Sequence, residues 1–257
     1  MLKATAGGGG MGLLVCADED EVRENFRTVQ SRGHALFKHA GVFLERYFPQ
    51  SHHIEVQVFG NGLGKAISVG ERECSIQRRH QKVIEECPSP FIENVHPALR
   101  DKLTTAAVRL AESINYASAG TIEYLVDDET GDFFFLEMNT RLQVEHGTTE
   151  LCYDVDLVEM MFRQADAQLS GRGGLAATEL EQMQMRFLKP QGHAIELRIY
   201  AENPARDYAP SPGVLQTVEW HQLPGSRIDT WVQSGTPISA NYGECLLKAS
   251  QPRGNRV

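Results

Sequence analysis

The chain is short of positive charge. Its 257 residues carry 25 Lys and Arg against 34 Asp and Glu, a formal net charge of -9. That balance excludes a general binder of nucleic acid or of an anionic membrane, although a local basic patch survives such an average. Long apolar runs are missing too, and no stretch is long enough to cross a bilayer as a helix. Cysteine is scarce: the five present (Cys16, Cys74, Cys87, Cys152 and Cys245) are odd in number and include no Cys-x-x-Cys pair. Their scatter argues against a disulfide framework or a cysteine zinc site, and for a reducing, cytoplasmic compartment. The opening Met1-Leu2-Lys3 starts no Arg-rich or apolar leader, so no targeting segment is expected. What remains is ordinary, with 41% hydrophobic and 23% charged residues, a globular composition with room for two domains.

The periodicity divides the chain. A short apolar element opens it, Gly7–Gly10 follows, and Leu13–Cys16 comes next, which reads as strand, glycine turn, strand. Asp18 with Glu21 predicts a capped helix carrying Val22, Phe26 and Val29 on one face, with Gly33 as its stop. From Val42 the period shortens. Ile54, Val56 and Val58 alternate with Glu55 and Gln57, and Ile67 and Val69 resume the pattern after Gly60-Asn61-Gly62, a β-hairpin with one buried face. Pro97 predicts a helix start, with Leu103, Ala107, Leu110 and Ile114 on a shared face. Strands are expected at 121–126 and 133–138, and a helix from Asp156 to Leu169. A connection follows at 171–191, then strands at 194–201, 214–218 and 228–232 around the turn Pro210-Ser211-Pro212-Gly213. Strands and helices mixed in this order indicate an α+β protein.

Three clusters carry chemistry. Gly7–Gly10 fits neither the dinucleotide nor the Walker spacing, since a strand and not a helix follows; it reads equally as a flap over phosphates or as a plain hairpin turn. The run Glu71–Lys82 places Arg78, Arg79, His80 and Lys82 within five residues, interrupting a strand pattern with donors suited to phosphate or carboxylate oxygens. A solvated charge run is the simpler alternative. The third cluster is the most specific. Glu123 and Glu137 fall on neighbouring strands, where two carboxylates facing one way need a divalent cation between them. Glu137, Asn139, Arg141, Gln143 and Glu145 alternate strictly, so period-two spacing places all five on one face. Arg141 is then placed to bind a small anion and Glu145 to take its proton. Arg198, at mid-strand among Ile195, Leu197 and Ile199, reads first as an internally paired arginine.

Five segments occur in family order: Lys3–Gly10, His53–Gln57, Glu71–Lys82, Leu136–His146 and Pro210–Gly213. Together they resemble biotin carboxylase of the ATP-grasp superfamily, from residue 1 to about Lys248. Gly41–Arg46, Tyr200–Pro204 and Arg227–Val232 are most similar to the biotin carboxylase region of urea carboxylase and urea amidolyase. The resemblance implies an ATP-grasp fold: a partial lid at 1–47, a catalytic antiparallel sheet at 48–170, a connection at 171–191, and at 192–257 the start of the biotin carboxylase C-terminal domain. It implies ATP, Mg²⁺ or Mn²⁺ and biotin as cofactors, and bicarbonate as substrate. A biotin carrier domain and a carboxyltransferase domain are the implied partners, with a homodimer in the complete enzyme. Lys3, Gly9 and Gly10 would contact ATP phosphates, and Glu45, Arg46, Tyr47 and Phe48 would form the adenine-binding linker strand. His53, Gln77 and His80 would complete the nucleotide site, and Glu123, Glu137 and Asn139 would hold metal ions. Lys82, Arg141, Gln143 and the Val144 backbone would bind bicarbonate. Glu145 would be its base, and Arg198 would stabilise the enolate-like oxygen of biotin.

The chain also departs from the family. The family's nucleotide-fold domain before this point is absent, Tyr242-Gly243-Glu244-Cys245 stands where relatives read Tyr-Asp-Pro, and the chain ends in a polar tail, Ser250–Val257. Gly147 follows His146 where Pro is usual, and neither a Met-Lys-Met carrier motif nor a carboxyltransferase region is present. The expectation is a fragment that keeps the ATP-grasp core and carboxylates biotin poorly or not at all. Two alternatives are a non-catalytic ATP-binding module and the biotin carboxylase part of an acyl-CoA or pyruvate carboxylase. A third, a carbamoyl-phosphate synthetase domain, is opposed by Gln77–Lys82 and Pro210–Gly213.

Overall fold

Asp18 begins the long first helix because its carboxylate accepts from Glu21 N at 2.9 Å, while the Glu21 carboxylate reaches one residue past the cap to accept from Ala17 N at 2.9 Å, a variant of the capping box. The structure, a computed structural model, describes residues 1–5, 12–39, 41–78, 80–221 and 223–239, and the backbone of 245–253. It divides into two units, Met1–Ser51 with Gln77–Lys82, and His52–Ile76 with Val83–Val257.

The first unit holds β1 (Leu2–Ala4), β2 (Leu13–Leu14), α1 (Glu19–Phe37) and β3 (Val42–Leu44). The strands pair antiparallel in the order β2-β1-β3, with Leu2 opposite both Leu14 and Leu44. The two expected strands are therefore present and paired, while the glycine turn expected at Gly7–Gly10 lies outside the described residues. Val29 of α1 is buried against Leu2 and Ala4, whereas Phe26 is exposed. Gly33 does not stop the helix. Lys38 does, at φ 58, and Gly33 lies inside, where a Cβ would meet Ala4 Cβ at 3.1 Å and His39 O at 3.0 Å. The glycine serves close approach to the sheet, not termination.

The next elements are β4 (Ser51–Asn61), β5 (Ala66–Arg78), β6 (Gln81–Cys87), α2 (Pro90–Asn94), α3 (Leu99–Ser113), β7 (Ala117–Asp127) and β8 (Phe133–Asn139). They lead to α4 (His146–Tyr153), α5 (Leu157–Leu169), α6 (Ala177–Arg186) and β9 (His193–Tyr200). Short strands follow as β10 (Glu202–Asn203), β11 (Ala209–Pro210), β12 (Gly213–Val214), β13 (Arg227–Thr230) and β14 (Pro237–Ile238), and then β15 (Cys245–Arg253). One sheet runs β13-β15-β9-β6-β5-β4-β7-β8. Both faces of its β4–β5 part are covered. Ile54, Val56 and Val58 pack with Leu103 and Ala107 of α3, while Phe59, Ile67 and Val69 pack with Leu157 and Met160 of α5 and Leu180 of α6.

That double covering corrects the one-sided hairpin expected for 54–69. Glu55 and Gln57 are fully buried, because their alternation marks a polar layer under helices and not a wet face. Other corrections are local. Pro97 precedes α3 by two residues, Ile114 is exposed just past its end, and α2 starts on Pro90 with Ser89 as its cap. Residues 171–191 contain α6, and the strand expected at 214–218 reduces to Gly213–Val214. The basic run ends β5 and begins β6, so it forms a hairpin turn, and the supposed tail is strand through Arg253, pairing with β9 and β13. Among the described residues no helix is long and apolar enough to cross a membrane.

Candidate functional site

Glu123 of β7 and Glu137 of β8 stand directly opposite one another in the antiparallel register, and residues so paired share a face of the sheet. Asn139 closes the arrangement: its Nδ2 donates to Glu123 Oε1 at 2.8 Å and to Glu137 Oε1 at 3.3 Å. Gln143 Nε2 donates to the same Glu123 oxygen at 2.7 Å, and His53 Nε2 lies 2.7 Å from Glu123 Oε2. Two carboxylates and an amide form a hard oxygen set of the kind Mg²⁺ or Mn²⁺ takes, so the residues present fit such an ion. The assigned side-chain amide places nitrogen toward both acids, and a half-turn of that amide presents oxygen instead.

Beneath this cluster lies Arg72, fully buried on β5. Its Nε donates to Glu55 Oε1 at 2.6 Å and its Nη1 to Gln57 Oε1 at 2.7 Å and Thr149 Oγ1 at 2.9 Å. Its Nη2 donates to Thr121 at 3.2 Å and to Gln143 Oε1 at 3.1 Å. One guanidinium thus ties β4, β5, β7, α4 and the loop carrying Gln143. Burial works against its charge, but Glu55 and Glu145 outweigh burial and hold its pKa above the ordinary arginine value. Sequence reasoning missed Arg72. The available signal was its place opposite Glu55 in the hairpin, a cross-strand pair of unlike charge.

The alternation from Glu137 to Glu145 does not continue as a strand. β8 ends at Asn139, residues 140–145 turn, and Glu145 opens α4 at its N-cap position. Asn139, Gln143 and Glu123 still meet, through a turn and not through one face. Glu145 makes no side-chain cap bond. Its carboxylate is buried and accepts from Arg198 Nη2 at 2.8 Å, across from β9. Arg198 Nε lies 2.7 Å from Glu85 Oε1 of β6, so the internal pairing first read for Arg198 is present and engages the residue expected to act as base. Burial works against the Arg198 charge, but the neighbouring acids, Glu145 first and then Glu85, together outweigh it and hold the pKa above the ordinary arginine value. Arg141 and Val144 are exposed, with Arg141 donating to Asn139 Oδ1 at 3.4 Å and Leu142 O at 3.3 Å.

In the first unit Lys3 pairs with Glu45 at 3.4 Å and lies over the Phe43 ring, while Arg46 covers Phe48. At the linker strand expected for Glu45–Phe48, β3 ends at Leu44, Glu45 still exchanges backbone bonds with Met1 (its N donates to Met1 O at 3.0 Å and its O accepts from Met1 N at 2.9 Å), and Arg46 to Phe48 follow outside the strand. Gln77 is near the end of β5, His80 takes a left-handed turn conformation at φ 62, and Lys82 is the second residue of β6. Gly9 and Gly10 lie outside the described residues.

Comparison with known proteins adds a family context. Residues 1–170 match the family described as carbamoyl-phosphate synthase L chain, ATP binding domain, and residues 196–251 match the biotin carboxylase C-terminal domain. A protein named "Putative urea carboxylase" from Emericella nidulans is 71% identical over 256 residues, covering 100% of this chain and 20% of the relative. Urea amidolyase of Saccharomyces cerevisiae is 44% identical over 248 residues, 96% of this chain and 13% of the relative. The chain thus spans a fifth or less of the length of these two relatives. Among solved structures, the biotin carboxylase domain dimer of Hydrogenobacter thermophilus 2-oxoglutarate carboxylase, in complex with MgADP, ADP and bicarbonate, superposes with a TM-score of 0.87. It is 36% identical, over 98% of this chain and 52% of that one. The crystal structure of Kluyveromyces lactis urea carboxylase gives a TM-score of 0.67 at 37% identity, over 93% of this chain and 18% of that one.

Proposed function

The chain belongs to the ATP-grasp biotin carboxylase family, and from that membership we propose that it is the ATP-dependent biotin-carboxylating region of a urea carboxylase or urea amidolyase. The observation that carries the reading is the buried contact between Glu145 and Arg198, an acid and a cation held 2.8 Å apart in the same unit as the Glu123–Glu137 acid pair. We assign residues 1–47 to the lid, 48–170 to the catalytic sheet, 171–191 to a connection and 192–257 to the C-terminal domain. The protein works in the cytoplasm.

Bicarbonate is a weak nucleophile until it loses a proton. Lys82, Arg141, Gln143 and the Val144 backbone hold the anion, and Glu145 accepts its proton. A bicarbonate oxygen then forms a bond to the γ-phosphorus of ATP as the bond to the ADP oxygen breaks, giving carboxyphosphate. Carboxyphosphate separates into CO₂ and phosphate; the phosphate takes the proton from the ureido nitrogen of biotin presented on a carrier domain, and that nitrogen forms its bond to the CO₂ carbon. Arg198 offers its charge to the acceptor oxygen, an electrostatic role worth roughly 10²–10³ in rate when such a donor is removed. Lys3, Gly9 and Gly10 serve the phosphates, and Glu45, Arg46, Tyr47, Phe48, His53, Gln77 and His80 the nucleoside. Glu123, Glu137 and Asn139 would hold the divalent ion, which neutralises charge on the phosphates when bound. A carboxyltransferase domain takes the product onward, and urea is the acceptor consistent with the relatives.

The test uses the full chain with ATP, Mg²⁺, bicarbonate and free biotin. Bicarbonate-stimulated ADP release that Glu145→Gln abolishes supports the reading. ATP binding without any stimulated turnover favours a non-catalytic module.

A further inference from the structure

Four buried carboxylates crowd two arginines in the second unit. Glu55, Glu85 and Glu196 are fully buried and Glu145 nearly so. Arg72 is engaged by Glu55. Arg198 lies between two of the others, its Nε 2.7 Å from Glu85 and its Nη2 bonded to Glu145. Glu85 and Glu196 face each other across β6 and β9, which adds like-charge repulsion where no water screens it. Among the described residues, neither oxygen of Glu85 nor Nε of Arg198 makes a hydrogen bond of regular geometry, so their 2.7 Å approach is an ion-pair contact. A carboxyl in that position costs stability, and an apolar residue of similar size would fill the site more cheaply.

We propose that Glu85 is the positioning residue for Arg198, anchoring the Nε edge of the guanidinium so that its Nη edge is aimed at Glu145 and the acceptor. A guanidinium is planar, so contacts on two edges fix its plane as well as its place. Only 11% of the Arg198 side chain is exposed, which leaves little surface for a ligand to meet and makes the aim of that edge matter. Without the anchor, a long side chain could turn toward Glu196, two residues away on the same strand and on the same face. Burial, ahead of the neighbouring charges, pushes the Glu85 pKa up to about 8, so near neutrality a carbonyl oxygen of an uncharged carboxyl meets Nε. This inference rests on the proposed role of Arg198 at the acceptor.

The experiment compares Glu85→Leu, which removes the acceptor, with Glu85→Gln, which keeps it, in the full chain. Two readouts are taken: steady-state kinetics with free biotin, and the Arg198 Nε–H signal in ¹⁵N-resolved NMR, assigned by its loss in Arg198→Lys. Expected for Glu85→Leu is a rise of about tenfold in the KM for biotin with the KM for ATP unchanged, and exchange broadening of the Nε–H signal. Glu85→Gln brings biotin KM back to within about threefold and recovers the signal. A Glu85→Leu chain that melts normally and keeps both its biotin KM and its Nε–H signal overturns the proposal. So does one whose ATP and biotin constants worsen together, since that is general loss of packing. If the wild-type chain shows no biotin-stimulated turnover while its Nε–H signal still depends on residue 85, the functional reading fails and the anchoring stands.

Discussion

Glu123 and Glu137 occupy opposed positions on β7 and β8, and the Asn139 amide bonds to both. Two acids so placed repel unless a cation joins them. Mg²⁺ with ATP should therefore raise the melting temperature, and Glu137→Gln should lose the Mg²⁺-dependent part of that rise. At ligand a hundredfold above its dissociation constant, the stabilisation is about 2.7 kcal/mol, which thermal melts with and without EDTA resolve.

Arg72 has five side-chain hydrogen bonds and no exposure. Arg72→Met leaves Glu55 buried without its cation, and the expected loss is about 3–5 kcal/mol in urea denaturation. Adding Glu55→Gln should return part of it, with a coupling of about 1–3 kcal/mol in the double-mutant cycle. Additive losses would disprove the pairing as the source.

His52 is bonded by Glu73 at 2.9 Å and Asp128 at 3.0 Å and stacks on Phe91 at 3.8 Å. The hydrogen bond to Glu73 outweighs burial, and its pKa is raised above 6.5. The stability this histidine contributes is complete below pH 6.5 and disappears as pH rises through its elevated folded value. The stability gap between wild type and His52→Gln should shrink over that interval when followed by chemical denaturation at successive pH values.

Glu85 predicts a slope in a different window. Its folded pKa of about 8 lies above the ordinary 4.5, so the folded chain holds a proton there that the unfolded chain releases. Stability should fall as pH climbs from 4.5 toward 8, by up to about 1.4 kcal/mol per pH unit, and level off above. Glu85→Gln should remove that slope.

Much of this was legible beforehand. The period-two run at 54–58 gave a strand, and strands at 121–126 and 133–138 were expected, but a regular hairpin around 127–132 would set Glu123 opposite Leu136; the register shift between Glu123 and Tyr124 is what brings Glu137 to face it. What stayed hidden depends on tertiary cover. Glu55 and Gln57 alternate like a solvent-facing row, and only the helices above them make that row a buried network around Arg72. Gly33 carries the signature of a helix end but is required by the nearness of Ala4. The spacing from Glu137 to Glu145 imitates a strand because a turn and a helix start happen to place polar residues at every second position. Position 85 gave no sign at all, since a glutamate beside Glu86 in a charged region reads as surface.

The carboxylate that meets Arg198 belongs to the residue that opens α4, and the body of that helix is moored elsewhere. Thr149 is held by Arg72, and Cys152 by its thiol to the Cys87 carbonyl and by its own carbonyl to Gln191 N at 2.7 Å. A helix advances about 1.5 Å per residue, so slippage by a single step would stretch a 2.8 Å contact beyond bonding reach. Those distant moorings therefore work as a gauge block, and changes made at residues 149 or 152 should register as a loosened Glu145–Arg198 contact.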